Sequence, residues 1–154
     1  MNQMYKNFKG FTLIELIVTI AIIATLSGII MFSVSQYINK GKDSNIAGNM
    51  VVLIPAGEVF YNGNGNSYEE FCDPDENSVI KNSVAQIPKP ESLVCSAGLT
   101  PGICCNVAEN NDAWAACAEE FVDSSKAYCV DSRGVKESMD DDFCIEGLTE
   151  CPEL

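Results

Sequence analysis

The sequence predicts an α+β fold: a long N-terminal hydrophobic helix whose C-terminal half packs against a small antiparallel β-sheet with disulfide-stapled loops. Three observations carry this. An almost continuous apolar run from Phe11 to Val34 is followed by apolar residues at three- and four-residue steps as far as Tyr61. Two later segments, around Trp114 and Cys129, alternate as strands do, and all eight cysteines fall between residues 72 and 151. The 154 residues leave room for one such head and one appended helix.

Residues 1–10 form a short leader with Lys6 and Lys9 that ends in Gly10. An ordinary secretory signal has its cleavage site after the apolar region; here the glycine precedes it, so cleavage at Gly10 would leave the apolar run in the mature chain. A competing small-x-small site, Ser33-Val34-Ser35, lies behind the run. The stretch Leu16 to Val34 holds 19 residues without a charge. At about 1.5 Å per residue it spans most of a bilayer core about 30 Å thick. Ser27-Gly28 sits near its middle, where glycine loosens a helix less than proline does.

Glu15 is a carboxylate just inside this run, costly there unless it reaches the interface or meets a positive partner. Cutting between Gly10 and Phe11 creates one, because the new α-amino group stands four residues before Glu15. A neighbouring subunit's amine could serve equally. The plain reading is a carboxylate that snorkels at the membrane surface.

Lys9-Gly10 followed by Phe11-Thr12-Leu13-Ile14-Glu15-Leu16 resembles the class III signal peptide of type IV pilins and type II secretion pseudopilins. The resemblance covers about residues 6–35. It implies a pilin-like fold, cleavage by prepilin peptidase between Gly10 and Phe11, and N-methylation of Phe11. It also implies assembly in which Glu15 neutralises the Phe11 amine of an adjacent subunit. The implied partners are further copies of the chain, the peptidase, and inner-membrane pilus or secretion assembly machinery. A single-pass precursor in the cytoplasmic membrane would then enter an extracytoplasmic or cell-surface filament.

The expected organisation is leader 1–10, hydrophobic assembly helix 11–35, amphipathic continuation 36–62 and cysteine-rich head 63–154. In the continuation, Tyr37, Ile38, Ile46, Met50, Leu53, Ile54, Phe60 and Tyr61 make the core-facing stripe, while Lys40, Lys42 and Asp43 stay solvated. Pro55 predicts a kink or an earlier helix end between Val52 and Ala56. The polar run Asn62 to Ser67 predicts a turn. Between Cys72 and Asn106 four prolines predict loop without helix. Strands are expected over Ala113 to Phe121 and Ala127 to Val135, in a meander of three or four.

Cys72, Cys95, Cys104, Cys105, Cys117, Cys129, Cys144 and Cys151 read as an oxidised, exported framework. If the two strands pair, Cys117 and Cys129 become cross-strand partners, and Cys144 with Cys151 closes a small C-terminal loop. A vicinal Cys104–Cys105 bond would be strained, so these two take different partners. Without a C-x-x-C pair, thiolate zinc and redox chemistry have little footing.

No histidine is present, which removes Ser-His-Asp and Cys-His catalysis, and no enzymatic activity is expected. A net charge of −13 argues against nucleic-acid binding by bulk electrostatics. Asp140, Asp141 and Asp142 supply hard oxygen ligands of the kind calcium takes; the plainer reading is a solvated acidic run, and no other cofactor is expected. Trp114 reads as core rather than ligand platform.

The functional expectation is a structural subunit of a type IV pilus-like filament, used for adhesion, motility, DNA uptake or secretion. Alternatives are a pseudopilin of a type II secretion system and, in another class, a monomeric membrane-anchored or secreted disulfide-rich binding domain.

Overall fold

A computed structural model describes residues 10–73, 75, 77–88, 103–145 and 147–152. The fold is α+β and pilin-like. A 51-residue helix, α1 (Leu13–Gly63), is followed by α2 (Ser78–Gln86) and by strands β1 (Ile103–Val107), β2 (Trp114–Glu119), β3 (Lys126–Asp131) and β4 (Lys136–Asp140). A 3-10 turn, Asp141–Phe143, precedes the C-terminal strap. The chain divides into two compact units, Met1–Tyr37 and Ile38–Leu154.

In the first unit, α1 exposes its apolar side chains all round, as a segment solvated by lipid does. Its hydroxyls are satisfied within the helix. Thr19 Oγ1 donates to the Leu16 carbonyl at 2.8 Å, Thr25 to Ile22 at 2.9 Å and Ser27 to Ile23 at 2.7 Å. Such back-bonding removes the penalty of placing a hydroxyl in hydrocarbon.

In the second unit, Ile46, Met50 and Leu53 face inward at helical spacing, with Gly57 buried beside them. Tyr37 and Ile38 do not join this stripe: both are exposed, against expectation, because the buried face begins a turn or more later at Ile46. The helix also continues through Pro55 to Gly63, so the earlier end, the alternative to a kink, does not occur. Turn residues 64–66 follow, with Gly65 and Asn66 at positive φ.

The sheet is an antiparallel meander in the order β1-β2-β3-β4. Its period-2 alternation sorts residues onto two faces. Ile103, Cys105, Trp114, Ala116, Ala118 and Val130 join the α1 stripe in one core, together with Tyr68, Phe71, Ile80, Val84 and Ile87. Cys104, Cys117, Ala127, Cys129 and Met139 lie in the other core with Cys144 and Cys151 of the strap. The alanines of β2 leave room for Trp114, whose ring packs 4.6 Å from Phe71 and 6.4 Å from Tyr68 by centroid.

Helix α2 overturns the expectation of loop between Cys72 and Asn106. Its prolines bracket it rather than break it. Asn77 caps it, accepting from Val79 N at 3.0 Å and Ile80 N at 3.4 Å, and Ile80, Ser83, Val84 and Ile87 turn one face into the core. Asp43 corrects another expectation. Its carboxylate accepts from the Phe121 and Val122 amides at 2.6 and 3.0 Å, and Lys42 Nζ sits 4.2 Å over the Phe121 ring. Helix and β2–β3 connection are thereby joined by charge-assisted bonds.

Candidate functional site: the processing and assembly segment

Helix α1 opens with Thr12 and Glu15 in a capping box. Thr12 N and Thr12 Oγ1 both donate to Glu15 Oε2, at 2.9 and 2.8 Å, and Glu15 N donates back to Thr12 Oγ1 at 3.3 Å. The carboxylate therefore sits at the positive end of the helix dipole with one oxygen held by Thr12. Thr12 was not among the residues singled out from the sequence, although T-x-x-E is a readable capping signal.

Phe11 is exposed and precedes the first helical turn, as does Gly10, so the Gly10–Phe11 bond lies in non-helical backbone. Phe11, Ile14, Glu15, Val18 and Thr19 share one side of this turn of helix and its neighbour. Glu15 is the sole charge on the chain from Phe11 to Gln36. Chemically, the arrangement offers a Gly10–Phe11 bond outside the helix, a carboxylate within a turn of Phe11 N, and an apolar helix that no described residue buries.

Within the head the cysteines form a covalent frame. Cys72 bonds to Cys105, Cys117 to Cys144 and Cys129 to Cys151. Cys104 is also disulfide-bonded, with its partner outside the described residues, where Cys95 too lies. The expected Cys117–Cys129 and Cys144–Cys151 pairs do not form. Cys104, Cys117 and Cys129 stand opposite one another across β1, β2 and β3, so the strand register is as such a pairing needs. Hydrogen bonding already joins those strands; the two bonds run instead to the strap, whose described residues join no ladder.

A half-buried ion pair reinforces the strap. Asp131, fully buried, accepts from Arg133 Nη2 at 2.7 Å, from Val135 N at 3.1 Å and from Cys151 N at 3.0 Å. Arg133 Nη2 also donates to the Cys151 carbonyl at 2.7 Å and Nη1 reaches Glu150 at 3.3 Å. With its lone pairs filled this way, the buried carboxylate is compensated.

Asp140 pairs with Lys126 Nζ at 2.6 Å, which raises the Lys126 pKa, and Asp141 and Asp142 belong to the 3-10 turn. Among the described residues, Cys104, Cys117 and Cys144 are the three side chains whose potential ligand atoms lie close together, and two of them share a disulfide.

Residues 5–31 match the prokaryotic N-terminal methylation motif, the class III signal peptide of type IV pilins and pseudopilins. The match spans 27 of the 154 residues, and it implies processing by prepilin peptidase. With the apolar helix, it fits a membrane-inserted pilin- or pseudopilin-like precursor. No curated protein and no solved structure matches the chain.

Proposed function

We propose that the chain is a structural, non-catalytic subunit of a type IV pilus-like filament that polymerises through its N-terminal helix after cleavage between Gly10 and Phe11. The observation that carries this reading is the coincidence, in one helical turn, of the methylation motif with a capped Glu15 at the mouth of an uncovered apolar helix. Within the bilayer that helix is solvated by lipid. Outside it, an apolar face of this length is covered only by other apolar helices. The freed amine of Phe11 and the Glu15 carboxylate of an adjacent subunit then neutralise each other where neither could be left unpaired.

Glu15→Ala separates processing from assembly. The variant is expected to lose its leader at the wild-type rate yet yield few sheared surface filaments, as measured by immunoblot and electron microscopy. Wild-type filament yield from Glu15→Ala would contradict the pairing.

A further inference from the structure

The run Asn62-Gly63-Asn64-Gly65-Asn66-Ser67, where α1 gives way to the turn, holds both Asn-Gly pairs of the chain, and its three asparagines are exposed. In such a pair the amide nitrogen after the asparagine can attack its side chain, because glycine puts no Cβ in the way. Local geometry separates the three positions. Asn62 and Gly63 are still helical, and Asn62 Nδ2 donates to the Glu58 carbonyl at 2.7 Å. The helical backbone holds the Gly63 nitrogen away from the Asn62 side chain. Asn64 lies beyond the helix, and its Nδ2 meets the Ser67 and Glu69 carbonyls at 3.3 Å each, past the usual range for an N–H donor. Gly65 has positive φ, its nitrogen donates no hydrogen bond to any described residue, and an added Cβ there would meet nothing within 4 Å. Asn66 is followed by Ser67, whose Cβ hinders the same attack.

We propose that Asn64 is a self-modification site, at which the chain forms a cyclic imide with water as the co-reactant. The Gly65 nitrogen gives its proton to solvent base and bonds to Asn64 Cγ. The Cγ–Nδ2 bond breaks, and the amide leaves as ammonia. Water then opens the ring at either carbonyl, giving aspartate or, with the main chain rerouted through Cγ, isoaspartate. Ammonia is exchanged for water, no electrons are transferred, and the head gains a negative charge. The product undoes the role of Asn64 in the turn. Its donors to Ser67 and Glu69 are gone, and a carboxylate faces their carbonyl oxygens near the negative end of the α1 dipole. Isoaspartate also lengthens the backbone inside the turn that Asn66 N closes on the Tyr61 carbonyl at 2.9 Å. This turn leads directly into Tyr68 and Phe71 of the core, so each converted head is less stable than a new one. The reaction is irreversible and independent of the filament reading; its extent records the age of the molecule.

The test incubates the full chain in detergent at mildly acidic and mildly alkaline pH, followed by peptide mapping and isoaspartyl methyltransferase labelling. Aspartate and isoaspartate are expected at Asn64 roughly fivefold or more faster than at Asn62, which must first break its helical hydrogen bond. Conversion is expected to quicken at alkaline pH and to lower Tm as it proceeds. Asn64→Gln, whose longer side chain closes such a ring poorly, is expected to hold its Tm through the same incubation. In the reduced, urea-unfolded chain the difference between Asn62 and Asn64 is expected to vanish. Conversion of Asn62 or Asn66 as fast as Asn64 in the folded chain overturns the proposal. So does an intact Asn64 after the unfolded chain has converted, or an equal fall in Tm for Asn64→Gln.

Discussion

Gly57→Ala sets two effects of known sign against each other. Gly57 lies inside α1, where alanine is favoured over glycine by about 1 kcal/mol. At this position, however, the new Cβ would stand 2.7 Å from Trp114 Nε1 and 3.0 Å from Cε2 and Cζ2. The indole is rigid, fully buried and wedged against Phe71, so relief requires the ring or the helix to shift. Overpacking of this kind costs about 1–3 kcal/mol, which outweighs the helical gain. Net destabilisation of up to about 2 kcal/mol lowers Tm by up to several degrees, at roughly 2–4 °C per kcal/mol for a chain of about 150 residues. Gly48→Ala, with open space at its Cβ, takes the helical gain alone and raises Tm. Trp114 is the lone tryptophan, so its fluorescence during thermal unfolding of the detergent-solubilised chain reports both variants. Equal stabilisation by the two substitutions would refute the close contact between α1 and the sheet.

Two further outcomes follow from the same packing. Asp43→Ala removes the acceptor for the Phe121 and Val122 amides and should cost about 1–3 kcal/mol in urea unfolding, with Asp43→Asn milder; no change in midpoint would contradict the latch. Tyr68 is buried, and burial, aided by the Glu58 carboxylate 3.2 Å away, pushes its pKa from 10.0 to about 12. A raised phenol pKa means its share of stability is intact below pH 10 and disappears as pH climbs toward 12. Tyr68→Phe should therefore remove one late step from the ultraviolet phenolate titration and flatten the alkaline loss of stability in that window. A wild-type Tyr68 titrating near 10 would contradict this.

Much of the frame was legible because it rests on local patterns. The length of α1, the alternation in β2 and β3, and burial of Trp114 all express a period of 3.6 or 2. Helix α2 was also written locally, in Asn77 and in the spacing of Ile80, Val84 and Ile87, but it is only nine residues long and the flanking Pro74 and Pro88 give the segment the signature of a loop. The disulfide partners were not legible. Strand parity puts Cys117 and Cys129 on one face, yet which segment covers that face depends on the chain's path after β4. Asp43 likewise meets its amides across 78 residues of sequence, a distance no periodicity encodes. At the N-terminus, Gly10, Phe11 and Glu15 were readable as a motif, and the structure adds Thr12 as the residue that holds the carboxylate.

Assembly through the proposed Phe11–Glu15 pairing requires a free amine at Phe11. Intact-mass analysis and N-terminal sequencing of the protein isolated from its native membrane or filament decide that directly. The expected product lacks residues 1–10 and begins at an N-methylated Phe11. A mature chain beginning at Met1, or at Gln36 behind the small-residue site, would contradict it.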